Sequence, residues 1–170
     1  IGYMALSYTG LRHIRLSENL QSMDEDCFVK CIYLEELTLP ESLKVIPERA
    51  FDSCYALRTV VLPDGLQVIG EFAFWACYNL SEITIPAGVT EIADGTFMGC
   101  RSLAKVTFLG PVTSIGETAF YDTRSLKHID LPDSLTSLGS GAFKQSHRDG
   151  ETDRSGGLEE NCTSGRAHED

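Results

Sequence analysis

The sequence predicts an α/β repeat solenoid, a superhelix of stacked 23-residue coils with one parallel sheet on one face and short helical or 3-10 turns on the other. Three observations predict it. Leu11, Leu34, Leu57, Leu80, Leu103 and Leu126 each follow the last by 23 residues, and each opens a phrase with large apolar residues at its fourth and sixth positions, such as Ile83 and Ile85 after Leu80. The same period carries Phe28, Phe51, Phe74, Phe97, Phe120 and Phe143, each preceded by Cys, Ala or Thr. Turn residues close the phrase, as in Pro40, Pro63, Pro86 and Pro132.

Within each coil the alternating apolar pair has strand periodicity, and the proline that follows ends the strand. A second apolar pair, Leu66 and Ile69 in the third coil, predicts a shorter extended piece. The Ala-Phe-x-x-Cys segment fits one helical or 3-10 turn on the opposite side. The roughly seven or eight apolar side chains of a single coil do not offset the backbone entropy of fixing it, so the coils must stack. Stacking pairs the strands in parallel at about 4.8 Å.

Three segments follow from the register: a partial coil over residues 1–10, six repeats over 11–146, and a disordered acidic tail over 147–170. Ile1-Gly2-Tyr3-Met4-Ala5-Leu6 imitates Ile69-Gly70-Glu71-Phe72-Ala73-Phe74, but lies one residue too close to the next repeat leucine. Ser17 replaces the first proline, and Leu109-Gly110-Pro111 shifts the fifth. Past Phe143 the only large aliphatic is Leu158, amid Gly, Ser, Glu, Asp and Arg. Neither end shows a cap and residue 1 is not Met, which points to further repeats or domains of a longer parent chain.

The pattern Leu-x-x-Ile-x-Ile-Pro-x-x-Val-x-x-Ile-x-x-x-x-Phe-x-x-Cys-x-x-Leu, read from Leu80 to Leu103, closely resembles the BspA-like, or treponemal-type, leucine-rich-repeat family. The resemblance covers residues 11 to about 146. It implies a curved leucine-rich-repeat superhelix in surface-exposed or secreted proteins of bacteria and some protists, often adhesive, with no enzymatic activity in the repeats. A cytoplasmic location stays open beside it.

Composition narrows the partners. The net charge is −11, with 14 Lys and Arg scattered among 25 Asp and Glu, which argues against nucleic acid and against an anionic membrane surface. No apolar run approaches the roughly 18 residues that span a bilayer, so direct membrane insertion is not expected.

Candidate surfaces come from rows of equivalent positions. Two ladders face outward from the strands: His13, Glu36, Thr59, Glu82, Lys105 and His128, and beside them Arg15, Thr38, Val61, Thr84, Thr107 and Asp130. In leucine-rich repeats this face is the usual contact surface; the plain alternative is a solvated sheet with Thr present for its β-propensity. The position after each repeat Phe reads Val29, Asp52, Trp75, Met98, Tyr121 and Lys144. Trp75, Met98 and Tyr121, with Phe72 one turn before, form an apolar interface if the row faces solvent. Partial burial between turns is the other reading.

Other signals are structural. Cys31, Cys54, Cys77 and Cys100 share one position, continued by Thr123 and Ser146. One thiol per layer suits neither a tetrahedral metal site nor disulfide torsions, so the row predicts a buried ladder of small residues. Cys27, at an Ala position, is expected to be buried, and Cys162 to be accessible. Gly70, Gly116 and Gly139 read as turn residues, and Asp24-Glu25-Asp26 as a solvated turn. No arrangement suggests a catalytic residue, a metal site or a cofactor. The expectation is a non-enzymatic module binding a protein or glycan ligand, with a structural spacer or an intracellular scaffold as alternatives.

Overall fold

The computed structural model describes residues 1–146, so the expected tail, with Cys162, lies outside the described residues. In chain order the strands are β1 (Glu36–Thr38), β2 (Val45–Ile46), β3 (Thr59–Val61), β4 (Val68–Ile69), β5 (Glu82–Ile85), β6 (Glu91–Ile92), β7 (Lys105–Phe108), β8 (Ser114–Ile115) and β9 (Ser137–Leu138). Each pairs in parallel with the equivalent strand of an adjacent coil, 23 residues away: Leu37 with Val60, Ile83 with Val106, Ile46 with Ile69, Ile115 with Leu138. The strands stand in two columns. β1–β3 and β5–β7 form the first column, and β2–β4 and β6–β8–β9 the second. Within β5 the exposure alternates from Glu82 outward to Ile83 inward, so one face points to water and the other to the core.

On the opposite side the expected helical turns are not found. The described residues contain no helix, and each coil instead runs through consecutive tight turns. The hydrogen bonding gives the reason. Ala50, Asp52 and Cys54 donate within the coil, to Pro47, Arg49 and Phe51, at 3.3, 3.1 and 3.2 Å. The alternate amides of Arg49, Phe51 and Ser53 donate to the next coil, to Glu71, Ala73 and Trp75, at 3.0, 2.8 and 2.8 Å. A helix uses every amide internally and leaves none for stacking. The alternation requires left-handed backbone at two positions per coil, such as Arg49 and Ser53 (φ 51° and 58°) and Phe72 and Ala76 (φ 53° and 55°). Only Gly95, Gly99 and Gly141 meet it with glycine. Each of the others carries strain of about 1–3 kcal/mol, held in place by the coil-to-coil bonds.

The half coil follows the same rule in a shifted register. Met4 and Tyr8 have positive φ, as do Asp26 and Lys30, which lie 22 rather than 23 residues later. Leu6 and Tyr8 donate to Cys27 and Val29, both at 2.9 Å.

The core is a set of ladders along the stack. The rings of Phe28, Phe51, Phe74, Phe97, Phe120 and Phe143 stack successively at 5.3, 5.2, 5.5, 5.3 and 5.1 Å, and the first five are fully buried. Leucine and isoleucine ladders fill the space between them and the strands. The terminal coils are less covered: Ile1, Leu6, Ile14 and Leu20 at one end, and Ile129, Leu131, Leu135, Leu138 and Phe143 at the other, are only partly buried.

Candidate functional site

The strand face carries both outward ladders in the expected register. Glu36 stands beside Thr59, Glu82 beside Lys105, Thr38 beside Val61, and Thr84 beside Thr107. His13 bridges to the strand position of Glu36, with Nδ1 3.6 Å from its carboxylate. His128 Nε2 lies 2.9 Å from Asp130 on its own coil, so the two histidines sit at opposite ends of the stack. Arg15 is exposed, Val61 is 58% exposed, and Thr107 is half-buried. The surface is a mosaic of charged, polar and apolar side chains, and none of these twelve residues lines the concavity of the turn side.

A concavity lies on the turn side. It is an open groove of about 690 Å³ running along the stack across coils one to five, whose repeat phrases open at Leu11 to Leu103. Its floor is the second left-handed position of each coil. There Ser53, Ala76 and Gly99 are small, whereas Tyr8 and Lys30 at one end and Asp122 at the other are large. One wall is the row after the repeat Phe, with Asp52, Trp75, Met98 and Tyr121. The other is the row after the Cys position, with Tyr55, Tyr78 and Arg101. Of the expected apolar patch, Trp75, Met98 and Tyr121 meet in this groove, with Trp75 39% exposed and the other two half-buried. Phe72 does not line it. Its ring lies 6.2 Å from that of Trp75, edge on, and covers Gly95, where an added Cβ would strike the ring.

The second wall was legible by the same 23-residue rule, since Ile32, Tyr55, Tyr78, Arg101 and Arg124 form one row, but its chemistry depends on stacking. The rings of Tyr55 and Tyr78 lie 4.9 Å apart and nearly parallel, and the Arg101 guanidinium caps Tyr78 at 4.8 Å. Arg101 also reaches Asp122 at 3.0 Å, and Asp122 holds Arg124 as well. Burial pushes the Asp122 carboxyl up, but hydrogen bonds and charge from Arg124 and Arg101 prevail and hold it below the usual range. Asp52, three coils earlier, is equally buried but has only the Ser53 hydroxyl, donating at 2.7 Å. Burial outweighs that bond and raises its pKa.

Beneath the groove the cysteine ladder is internal. The five described cysteines are free and fully buried. The thiols of Cys54, Cys77 and Cys100 donate to the carbonyls of Phe28, Phe51 and Phe74 at 3.3, 3.2 and 3.2 Å, and the Ser146 hydroxyl makes the equivalent bond to Phe120 at 2.9 Å. Burial pushes the Cys77 and Cys100 thiols far up, so they stay protonated donors. Among the described residues no three His, Cys, Asp or Glu side chains gather as a metal site, and no helix is long and apolar enough to cross a membrane.

The coil repeat has a counterpart among known families: the model of the BspA-type leucine-rich repeat region matches residues 21–149 in six copies. The chain belongs to the BspA-type leucine-rich-repeat family. Among solved structures, this BspA-type chain is 33% identical to a leucine-rich cell surface protein from Faecalibacterium prausnitzii, with a TM-score of 0.73 over 86% of this chain and 40% of that one. A leucine-rich-repeat protein from Bacteroides ovatus is 29% identical, with a TM-score of 0.66 over 85% and 44% of the two chains. The T. pallidum leucine-rich-repeat protein is 25% identical, with a TM-score of 0.60 over 84% and 77%. This BspA-type chain thus spans less than half the length of the first two. No curated protein matches it. As a leucine-rich-repeat protein it falls in a class of interaction modules that are typically non-enzymatic.

Proposed function

We propose that this chain is a non-enzymatic recognition module displayed at a cell surface, and that it holds a protein ligand in the turn-side groove. One observation carries the reading: the groove gathers Trp75, Tyr55, Tyr78, Tyr121 and Arg101, the residue types that dominate binding hot spots, on a rigid stack. The strand face offers no comparable anchor. Surface display rests on the family and on the cell surface protein of F. prausnitzii.

The test is binding of the purified chain to a panel of extracellular matrix proteins by biolayer interferometry. Trp75→Ala is expected to weaken capture roughly 30-fold while thermal unfolding stays cooperative. Ala76→Lys is expected to fill the floor without adding backbone strain, because Ala76 is itself a non-glycine residue at the left-handed position that Lys30 holds in the first coil. The double charge reversal Glu36→Lys with Glu82→Lys, on the strand face, is expected to leave binding unchanged. Loss of binding in that variant alone would move the site to the strands, and loss of cooperative unfolding in Trp75→Ala would make the indole a core residue.

A further inference from the structure

Trp75, the anchor of the groove, has a second ring behind it. Phe72 stands outside the groove and meets the indole edge on, with the ring centroids 6.2 Å apart and the planes at 66°. In that arrangement the positive edge of one ring faces the negative face of the other. Met98 and Tyr121, the next two residues of the same wall, have Gly95 and Thr118 in the corresponding place. Of this wall, Trp75 alone is backed by an aromatic ring.

Three successive coils fix the Phe72 ring. Its own backbone is left-handed (φ 53°), an uncommon state for a bulky residue, and strain of this kind persists only where the surroundings hold it. From the coil before, the Arg49 guanidinium lies over the ring at 5.7 Å. In the coil after, Gly95 leaves the space that the ring fills, since an added Cβ there would fall on the ring atoms Cδ1 and Cε1. Gly99, the other glycine in that turn, differs: an added Cβ would meet only Ala76 backbone, at 3.6 Å or more. Gly95 is therefore a seat for the ring as well as a turn residue.

We propose that Phe72 is a positioning residue: seated on Gly95, it holds the Trp75 indole in one rotamer at the groove wall before a ligand arrives. A side chain ordered in advance loses less freedom on binding, so the fixed indole grips more tightly than a mobile one. Phe72 acts through Trp75 and does not itself touch the ligand. The inference rests on the groove being the binding surface, and adds how its anchor is fixed.

Trp75 is the only tryptophan of the chain, so its fluorescence reports on the anchor without any ligand. Time-resolved anisotropy is expected to show a wild-type indole that turns only with the whole molecule. Phe72→Ala, and Gly95→Ala by displacing the ring from its seat, should each add a fast local component and raise quenching by acrylamide. Phe72→Tyr, which keeps the ring, should restore the wild-type signal. Gly95→Ala is compatible with the turn, because Arg49, Phe72 and Thr118 hold the same left-handed position without glycine. It carries the test if Phe72→Ala loses cooperative unfolding. On the panel of extracellular matrix proteins, capture should weaken roughly three- to tenfold in either variant, and Phe72→Ala should cost nothing further in a Trp75→Ala chain. Unchanged anisotropy and quenching in both variants would overturn the proposal, as would a further loss of capture from Phe72→Ala in the absence of Trp75. If Trp75→Ala keeps full capture, the groove reading fails, while the fluorescence still decides whether Phe72 fixes the indole.

Discussion

Asp52 and Asp122 are carboxylates of equal burial on one groove, three coils apart, and their surroundings are opposite. Asp122 is held by two guanidiniums and integrated into a network that also caps Tyr78. Asp52 accepts one hydroxyl hydrogen bond and feels Arg49 and Lys30 only at a distance, opposed by Asp26, so burial prevails and raises its pKa. The first is a structural acid whose removal damages the stack. The second costs stability at neutral pH.

The contrast can be broken most strongly at Asp122. Asp122→Ala leaves Arg101 and Arg124 facing one another and is expected to cost about 1–2 kcal/mol, discounted from a fully buried pair because both guanidiniums are partly exposed. Urea denaturation checks it, and a loss within error would mean the network is ornamental. The pH dependence follows the two shifts. The contribution of Asp122, whose carboxyl is lowered, is present above its unfolded pKa and lost as pH falls through the folded one. Asp52 is raised, so its contribution is present below the unfolded pKa and lost as pH rises through the folded value. Denaturation midpoints from pH 3 to 7 should therefore show Asp122→Asn falling further behind wild type as pH rises, and Asp52→Asn moving ahead. The smallest effect is that of Asp52→Asn at pH 7, a slight gain in stability. A more stable variant would separate the two acids' roles; a destabilised one would make Asp52 structural.

Rows at a fixed period were readable because each coil presents equivalent positions to its neighbours, so Phe74 and Cys77 are recognised as ladder members by their siblings alone. The same rule placed Trp75, Met98 and Tyr121 in one row. It did not tell which rows border a hollow, because that depends on the small Ser53, Ala76 and Gly99 lying between two rows of larger residues. Phe72 was grouped with Trp75 by helical spacing, and the turn geometry sends it over Gly95 instead. The helical turns were expected from apolar spacing within one coil, which carries no information about amides that must bond to the next.

The sequence by itself determined the coil length, the parallel register, the core ladders and the shortened N-terminal half coil, because all of these follow from period and polarity along the chain. Only the tertiary structure decided the left-handed turn face, the groove and the unequal partners of Asp52 and Asp122. Those depend on which side chains from different coils come within hydrogen-bonding and stacking distance, a property of the stack that no single repeat contains.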